Sequence, residues 1–179
     1  MHTFNSEQWI PLPTELVFAF FANPANLPRL MPVWQRARVE KASIISPQPP
    51  LTTSALTDVF SNLAAGKGTR LVLSFRPFPL SPIRLEWEAE ITSFVWNHHF
   101  SDTQQRGPFA HWHHTHMVTP ETRSNESGTP IPGTLLQDEI EYQLPFGRLG
   151  DLAHPLIAEQ LRRTFNYRHR RTSELLIPN

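Results

Sequence analysis

At 179 residues, with 16 Lys+Arg balanced by 16 Asp+Glu, the chain is long enough for one domain with a substantial core, and its bulk charge recruits neither nucleic acid nor an anionic membrane. The absence of cysteine excludes disulfides, thiolate nucleophiles and cysteine metal ligands, and fits a reducing compartment. The opening MHTFNSEQWIPLP lacks a signal-peptide core, and no apolar run approaches the roughly 20 residues of a membrane span, so a cytoplasmic protein is expected.

Along the chain, HTFNSEQWI alternates as a first strand. PTELVFAFFANP reads as a short helix opened by Pro13 and stopped by Asn23-Pro24. ANLPRLMPVW is punctuated by Pro28 and Pro32, leaving room for one more short helical turn. RARVEKASII is a second strand. The proline-rich segment 46–68 reads as a loop or insertion, with a short helix expected around Ser54 to Ala65. TRLVLSF, RLEWEAEI and HHFSDTQ follow as a meander, and RLEWEAEI has the cleanest alternation. FAHWHHTHMV and TLLQDEIEYQL form the last pair, joined by the polar loop TPETRSNESGTPIPG. From His154 to Leu176 the residues Ile157, Leu161, Phe165 and Leu175 recur at helical spacing. The order is α+β: a curved antiparallel sheet around a long terminal helix, in a single domain spanning residues 1–179.

Strand parity then sorts the polar residues. In the last strand Leu136, Ile140, Tyr142 and Leu144 must face inward, and Asp138 goes with them. In the histidine-rich strand Trp112, His114, His116 and Val118 share the better inward face, while His111 and His113 read as solvated surface residues. In HHFSDTQ the face of Phe100 also carries Asp102 and Gln104, and Ser101 points outward. A buried carboxylate needs a partner, and His114 or His116 is the economical one for Asp138. Apolar walls with convergent polar groups describe a small-molecule pocket, against the alternative of a satisfied polar core.

Other readings of these residues are weaker. His114 and His116 at i, i+2 suit two metal ligands, and Glu121 gives a cupin-like echo, but Glu121 reads as loop and no third ligand is placed, so no metal or cofactor is expected. A nucleophilic triad has neither Cys nor a Gly-x-Ser-x-Gly elbow. The arginines 162, 163, 168, 170 and 171 spread around the helix as a solvated face rather than an RNA site. Arg168 is the exception, placed on the apolar stripe to reach a buried carboxylate.

FFANPANLPRLMP after a first strand, the run from Phe100 to His116 (F-x-D-x-Q-x-x-G-P-F-x-x-W-x-H-x-H), Asp138 with Tyr142, LPFG and a terminal helix with FNYRHRR together resemble the SRPBCC superfamily, in its START-related, cyclase/dehydrase-like branch. The long segment around Ser46 to Gly68 departs from the pattern. The resemblance implies a helix-grip fold, about seven antiparallel strands wrapped around the C-terminal helix with an apolar cavity between them. Relatives of that kind bind lipids, polyketides or quinones, and some close aromatic rings. The leading expectation is a binding protein for a hydrophobic or aromatic molecule, walled by Trp87, Phe100, Trp112, Leu161 and Phe165. Gln104, His114, His116, Asp138 and Tyr142 would orient its polar end. The alternatives are a cyclase/dehydratase with His114 or His116 as acid/base oriented by Asp102 or Asp138, and an accessory module for a protein partner.

Overall fold

The expected strands become β1 (His2–Ile10), β2 (Arg38–Ser43), β3 (Arg70–Phe75), β4 (Leu85–Val95), β5 (His99–Arg106), β6 (His111–Ser124) and β7 (Pro130–Gln143) in the computed structural model, which describes residues 1–48 and 63–177. They form one antiparallel sheet in the order β1-β7-β6-β5-β4-β3-β2. The meander β2 to β7 is closed by β1, which pairs along β7 from His2↔Tyr142 to Ile10↔Thr134. Between β1 and β2 lie helix α1 (Thr14–Ala22) and two 3-10 helices, Pro24–Leu30 and Val33–Gln35. The longer 3-10 helix starts where the Asn23 side chain accepts from the Ala25 amide at 3.0 Å. A four-residue helix α2 (Arg148–Asp151) precedes the long α3 (His154–Leu176). The helix expected around Ser54 to Ala65 falls largely outside the described residues.

One expected loop is largely strand. TPETRSNESGTPIPG extends β6 to Ser124 and begins β7 at Pro130, leaving a turn at residues 125–129. The three prolines that argued for a loop are tolerated because the hairpin runs past its neighbours. Pairing with β5 stops at Met117 and pairing with β1 stops at Thr134, so Pro120, Pro130 and Pro132 lie where β6 and β7 have only each other. Glu121 therefore lies on a strand rather than in a loop, and its carboxylate pairs with Arg123 at 2.5 Å, away from the histidines.

Inside the sheet, two apolar clusters sit at opposite ends. One gathers Phe18, Phe21, Ile91, Phe100, Val118 and Leu136, with Leu175 and Leu176 of α3 packed against it. The other gathers Trp112, Ile140, Tyr142, Leu144 and Phe165, flanked by Phe4, Trp87 and Leu161. Between them each inner strand turns polar: Asp138 separates Leu136 from Ile140, and His114 with His116 separates Trp112 from Val118. Helix α3 repeats the sequence, with buried Arg168 and Thr172 between Phe165 and the terminal leucines. A polar seam thus crosses the core.

The far end of the β6–β7 hairpin depends on a residue without a side chain. A Cβ at Gly133 would lie 2.6 Å from the Ile10 carbonyl oxygen and 2.7 Å from the Trp9 ring. Gly133→Ala is expected to cost about 1–3 kcal/mol through overpacking, seen as a lower urea midpoint with an unchanged slope.

Candidate functional site

Parity places the inward residues as the alternation requires. His114, His116 and Asp138 are buried, at 6%, 6% and 2% exposure, on the face that also buries Trp112, Ile140 and Tyr142. Backbone register then aligns them: Asp102 sits opposite His114, Phe100 opposite His116, and His116 opposite Asp138. Three adjacent strands therefore bring two carboxylates and two imidazoles into one patch, and α3 lays Arg168 across it.

One oxygen gathers the contacts. Asp138 Oδ1 lies 3.0 Å from His114 Nε2, 2.5 Å from His116 Nδ1 and 4.0 Å from Arg168 Nη1. The His114 contact is a hydrogen bond; the His116 contact is close but lacks the alignment of one. Asp138 Oδ2 has no hydrogen-bond partner among the described residues. On the other side of the His114 ring, Nδ1 faces Asp102 Oδ1 at 3.6 Å. Aromatic rings hold the charges in place. The Arg168 guanidinium lies 5.0 Å from the centre of the Phe21 ring and 5.4 Å from that of Phe165, while Phe100 packs on His116 at 4.4 Å.

These neighbours set the protonation states. Burial pushes the Asp138 carboxyl up, but the Arg168 charge, the close His116 ring and the hydrogen bond from His114 outweigh it and hold the group well below its ordinary value. An ionised Asp138 only accepts, so His114 donates from Nε2. Burial, aided by the neighbouring His114 ring, lowers His116 to about 3 against the pull of Asp138. Asp102 moves the other way, raised chiefly by burial and held back by His114 and Arg168; the 18% of its side chain still open to solvent limits that rise.

The remaining expected residues divide. Trp87 and Trp112 meet edge-to-face at 4.8 Å and continue the apolar wall with Phe165, which lies 5.9 Å from His114. Leu161 is half-buried beside them. Gln104 is engaged elsewhere: its amide donates to the Phe109 carbonyl at 2.7 Å and so pins the β5–β6 turn. Tyr142 is fully buried beside His2 and His154, two pairing positions along β7 beyond Ile140, and is not brought to the carboxylates. His113 was expected in solvent but is half-buried, within reach of Thr103 Oγ1 at 3.2 Å and Thr115 Oγ1 at 3.3 Å; His111 is also half-buried. Outward-pointing Ser101 is buried too, bonded to Thr115 at 2.9 Å. Short hydroxyl side chains let this outer face close over itself. Arg168 reaches the buried carboxylate as its place on the helix stripe implied, whereas Arg162 and Arg163 pair with Glu159 and Arg171 with Glu174 at the surface.

Residues not singled out in the sequence complete the site. Phe109 packs 4.9 Å from Trp112, and Phe21 of α1 covers Arg168. Thr172, two helical turns beyond Phe165, was legible from the 3.6-residue period, whereas the role of Phe21 needed the tertiary fold.

No family model matches this chain, and no curated protein matches it. Solved structures do. Protein CV1439 from Chromobacterium violaceum aligns with a TM-score of 0.62 at 15% identity, over 99% of this chain and 98% of that one. TTHA0849 from Thermus thermophilus aligns at 0.57 with 16% identity, over 95% and 96% of the two chains. Ara h 8.0201 aligns at 0.52 with 14% identity, over 94% and 95%. At such identities the likeness is one of fold, and the arrangement is of helix-grip type.

The titration shifts fix a direction for acid stability. With its folded pKa near 3, His116 stays neutral in the native state while the unfolded chain takes up a proton below about 6.5, so stability falls as pH drops through that window. Asp138, depressed in the fold, adds a loss at lower pH as it is forced to protonate. Asp102, raised, opposes both above its unfolded value of 3.8. Urea midpoints measured with chelator present are expected to decline from about pH 6.5 downward, with a shallower decline in His116→Gln.

Proposed function

We propose that this chain binds an apolar or aromatic small molecule between the inner face of the sheet and α3, with its polar end at Asp102 and His114. The observation that carries this reading is that an inward-pointing carboxylate stays reachable. Asp102 keeps 18% of its side chain open, and Trp87, Phe109, Ile157 and Leu161, which pack against the Trp112–Phe165 cluster on the same inner side, are only half-buried. A core filled by its own side chains would cover them, and half-covered aromatic surface beside a few polar groups is what a ligand of this class completes. Trp87, Trp112, Leu161 and Phe165 serve as walls, and Phe100 backs His116. Gln104 supports the mouth by holding Phe109, while His116, Asp138 and Arg168 stiffen the floor. Tyr142 closes the far wall with its ring.

The larger surface groove, of about 810 Å³, lies elsewhere, among Val33, Trp34, Pro79, Leu156, Gln160 and Tyr167, and takes no part in this proposal. A catalytic His–Asp pair would need an imidazole nitrogen free to take a substrate proton. At His114 that leaves Nδ1 alone, beside Asp102, since Nε2 is bonded to Asp138. Exposed Phe78 and Leu80 between β3 and β4, with exposed Leu149 in α2 and Leu152 just after it, leave an apolar rim beyond the strand ends nearest Trp112. The rim suits traffic of an apolar ligand and also favours a second reading, docking of an apolar protein surface.

Titration with 1-anilinonaphthalene-8-sulfonate, read by tryptophan quenching and native mass spectrometry, separates these. A one-to-one complex weakened at least about tenfold (about 1.4 kcal/mol) by Leu161→Trp, which adds bulk to the half-buried wall beside Trp112 and Phe165, is the expected outcome. Binding indifferent to Leu161→Trp but lost in Leu149→Asp would overturn the internal site in favour of the rim.

A further inference from the structure

We propose that Asp102, His114 and His116 form a divalent metal site of two imidazoles and one carboxylate, with Asp138 as the carboxylate that orients both rings. The sequence offered only two histidines on one face; register supplies the missing ligand by setting Asp102 of β5 directly opposite His114. One donor atom from each of the three residues lies within 4.8 Å of the others.

The roles of the nitrogens divide in the way a metal site requires. Imidazole ligands use one nitrogen for the ion and hold the other on a carboxylate or carbonyl. Here Asp138 Oδ1 takes His114 Nε2 at 3.0 Å and His116 Nδ1 at 2.5 Å, leaving His114 Nδ1 and His116 Nε2 as the donors. Neither of those nitrogens makes a hydrogen bond among the described residues, and His114 Nδ1 stands 3.6 Å from Asp102 Oδ1. Two ligand atoms bound at about 2.1 Å to a tetrahedral ion stand roughly 3.4 Å apart, so this pair is already spaced for a shared cation. The third donor closes in by rotation of side chains already at the site. Asp138 Oδ2, fully buried and unpartnered, belongs to the same cluster.

The donor set selects the metal class. Two imidazoles and one carboxylate suit zinc, iron(II) or cobalt(II) rather than calcium or magnesium, whose shells are built of oxygen. Arg168 does not forbid the ion, because its guanidinium is turned to Asp138 and to the Phe21 and Phe165 rings. Three protein ligands leave a coordination position on the side where Asp102 meets solvent, so a chelating oxygen of a bound molecule fits there.

Histidines elsewhere supply the control. At the β4–β5 turn His98 Nδ1 lies 2.8 Å from His99 Nδ1, and on the outer face His113 is within reach of two threonine hydroxyls. Chelator-stripped protein titrated with cobalt(II), with no organic ligand present, is read by visible absorption and equilibrium dialysis. The site predicts one cobalt per chain with the intense bands of a four- or five-coordinate ion, weakened at least about tenfold (about 1.4 kcal/mol) in Asp102→Asn and His116→Gln and unchanged in His99→Ala and His113→Ala. Asp102→Asn, isosteric and partly solvated, carries the test if His116→Gln does not fold. Absence of those bands, or cobalt held equally by Asp102→Asn, overturns the site. Because Leu161→Trp leaves all three ligands in place, it retains cobalt even where it blocks the organic probe, and the two proposals fail separately.

Discussion

The structure turns on one buried carboxylate. Asp138 sits with no side-chain exposure in the middle of the sheet, where an uncompensated charge would cost several kcal/mol. Three side chains from two elements meet that cost together: β6 brings His114 and His116, and α3 brings Arg168. None of the three would be buried comfortably without it. His116 is neutral because burial forbids its charge, and Arg168 is accepted in the interior because a carboxylate and two aromatic rings receive it.

Much of the seam's worth lies in the arrangements it excludes. A one-residue slip of β6 against β7 would turn Asp138 toward one face and its imidazole partners toward the other. On α3 the inner stripe is Phe165, Arg168 and Thr172, so a rotation about the helix axis would carry Arg168 away from the buried Asp138 carboxylate. An all-aliphatic core would be content with several such settings. The seam also divides the interior into two apolar clusters, one packed by α1 and the end of α3, the other half-covered by Trp87, Phe109 and Leu161. Asp102, opposite His114 in the seam, keeps part of its side chain open to solvent, and both proposals start from it.

Much of this was legible in the sequence. Alternation with period two placed Trp112, His114, His116 and Asp138 on the inner face, because a strand's faces are fixed by parity once Leu136 and Ile140 anchor one of them. The helix stripe likewise pointed Arg168 inward. What depends on register was not legible. Parity puts Asp102 inward but does not say that it faces His114 rather than a residue two places along, so a third ligand could not be assigned. Gln104 had the right parity for a ligand contact and spends its amide on the turn of its own hairpin. Prolines 120, 130 and 132 argued for a loop by a rule that holds for central strands, and the hairpin escapes it by outrunning its neighbours. The outer histidines looked solvated since nothing local in the sequence shows that facing hydroxyls will close over them.

An ionised Asp138 that holds the His114 ring by Nε2 and sits against Nδ1 of a neutral His116 is open to direct observation. Long-range proton–nitrogen correlation spectra of the histidine rings, recorded on metal-free protein, report which ring nitrogen carries the proton. The geometry predicts protonated His114 Nε2 and His116 Nδ1, with the His116 pattern unchanged between about pH 8 and pH 5. A His116 ring that titrates near 6.5, or a His114 ring protonated at Nδ1 instead, would contradict it.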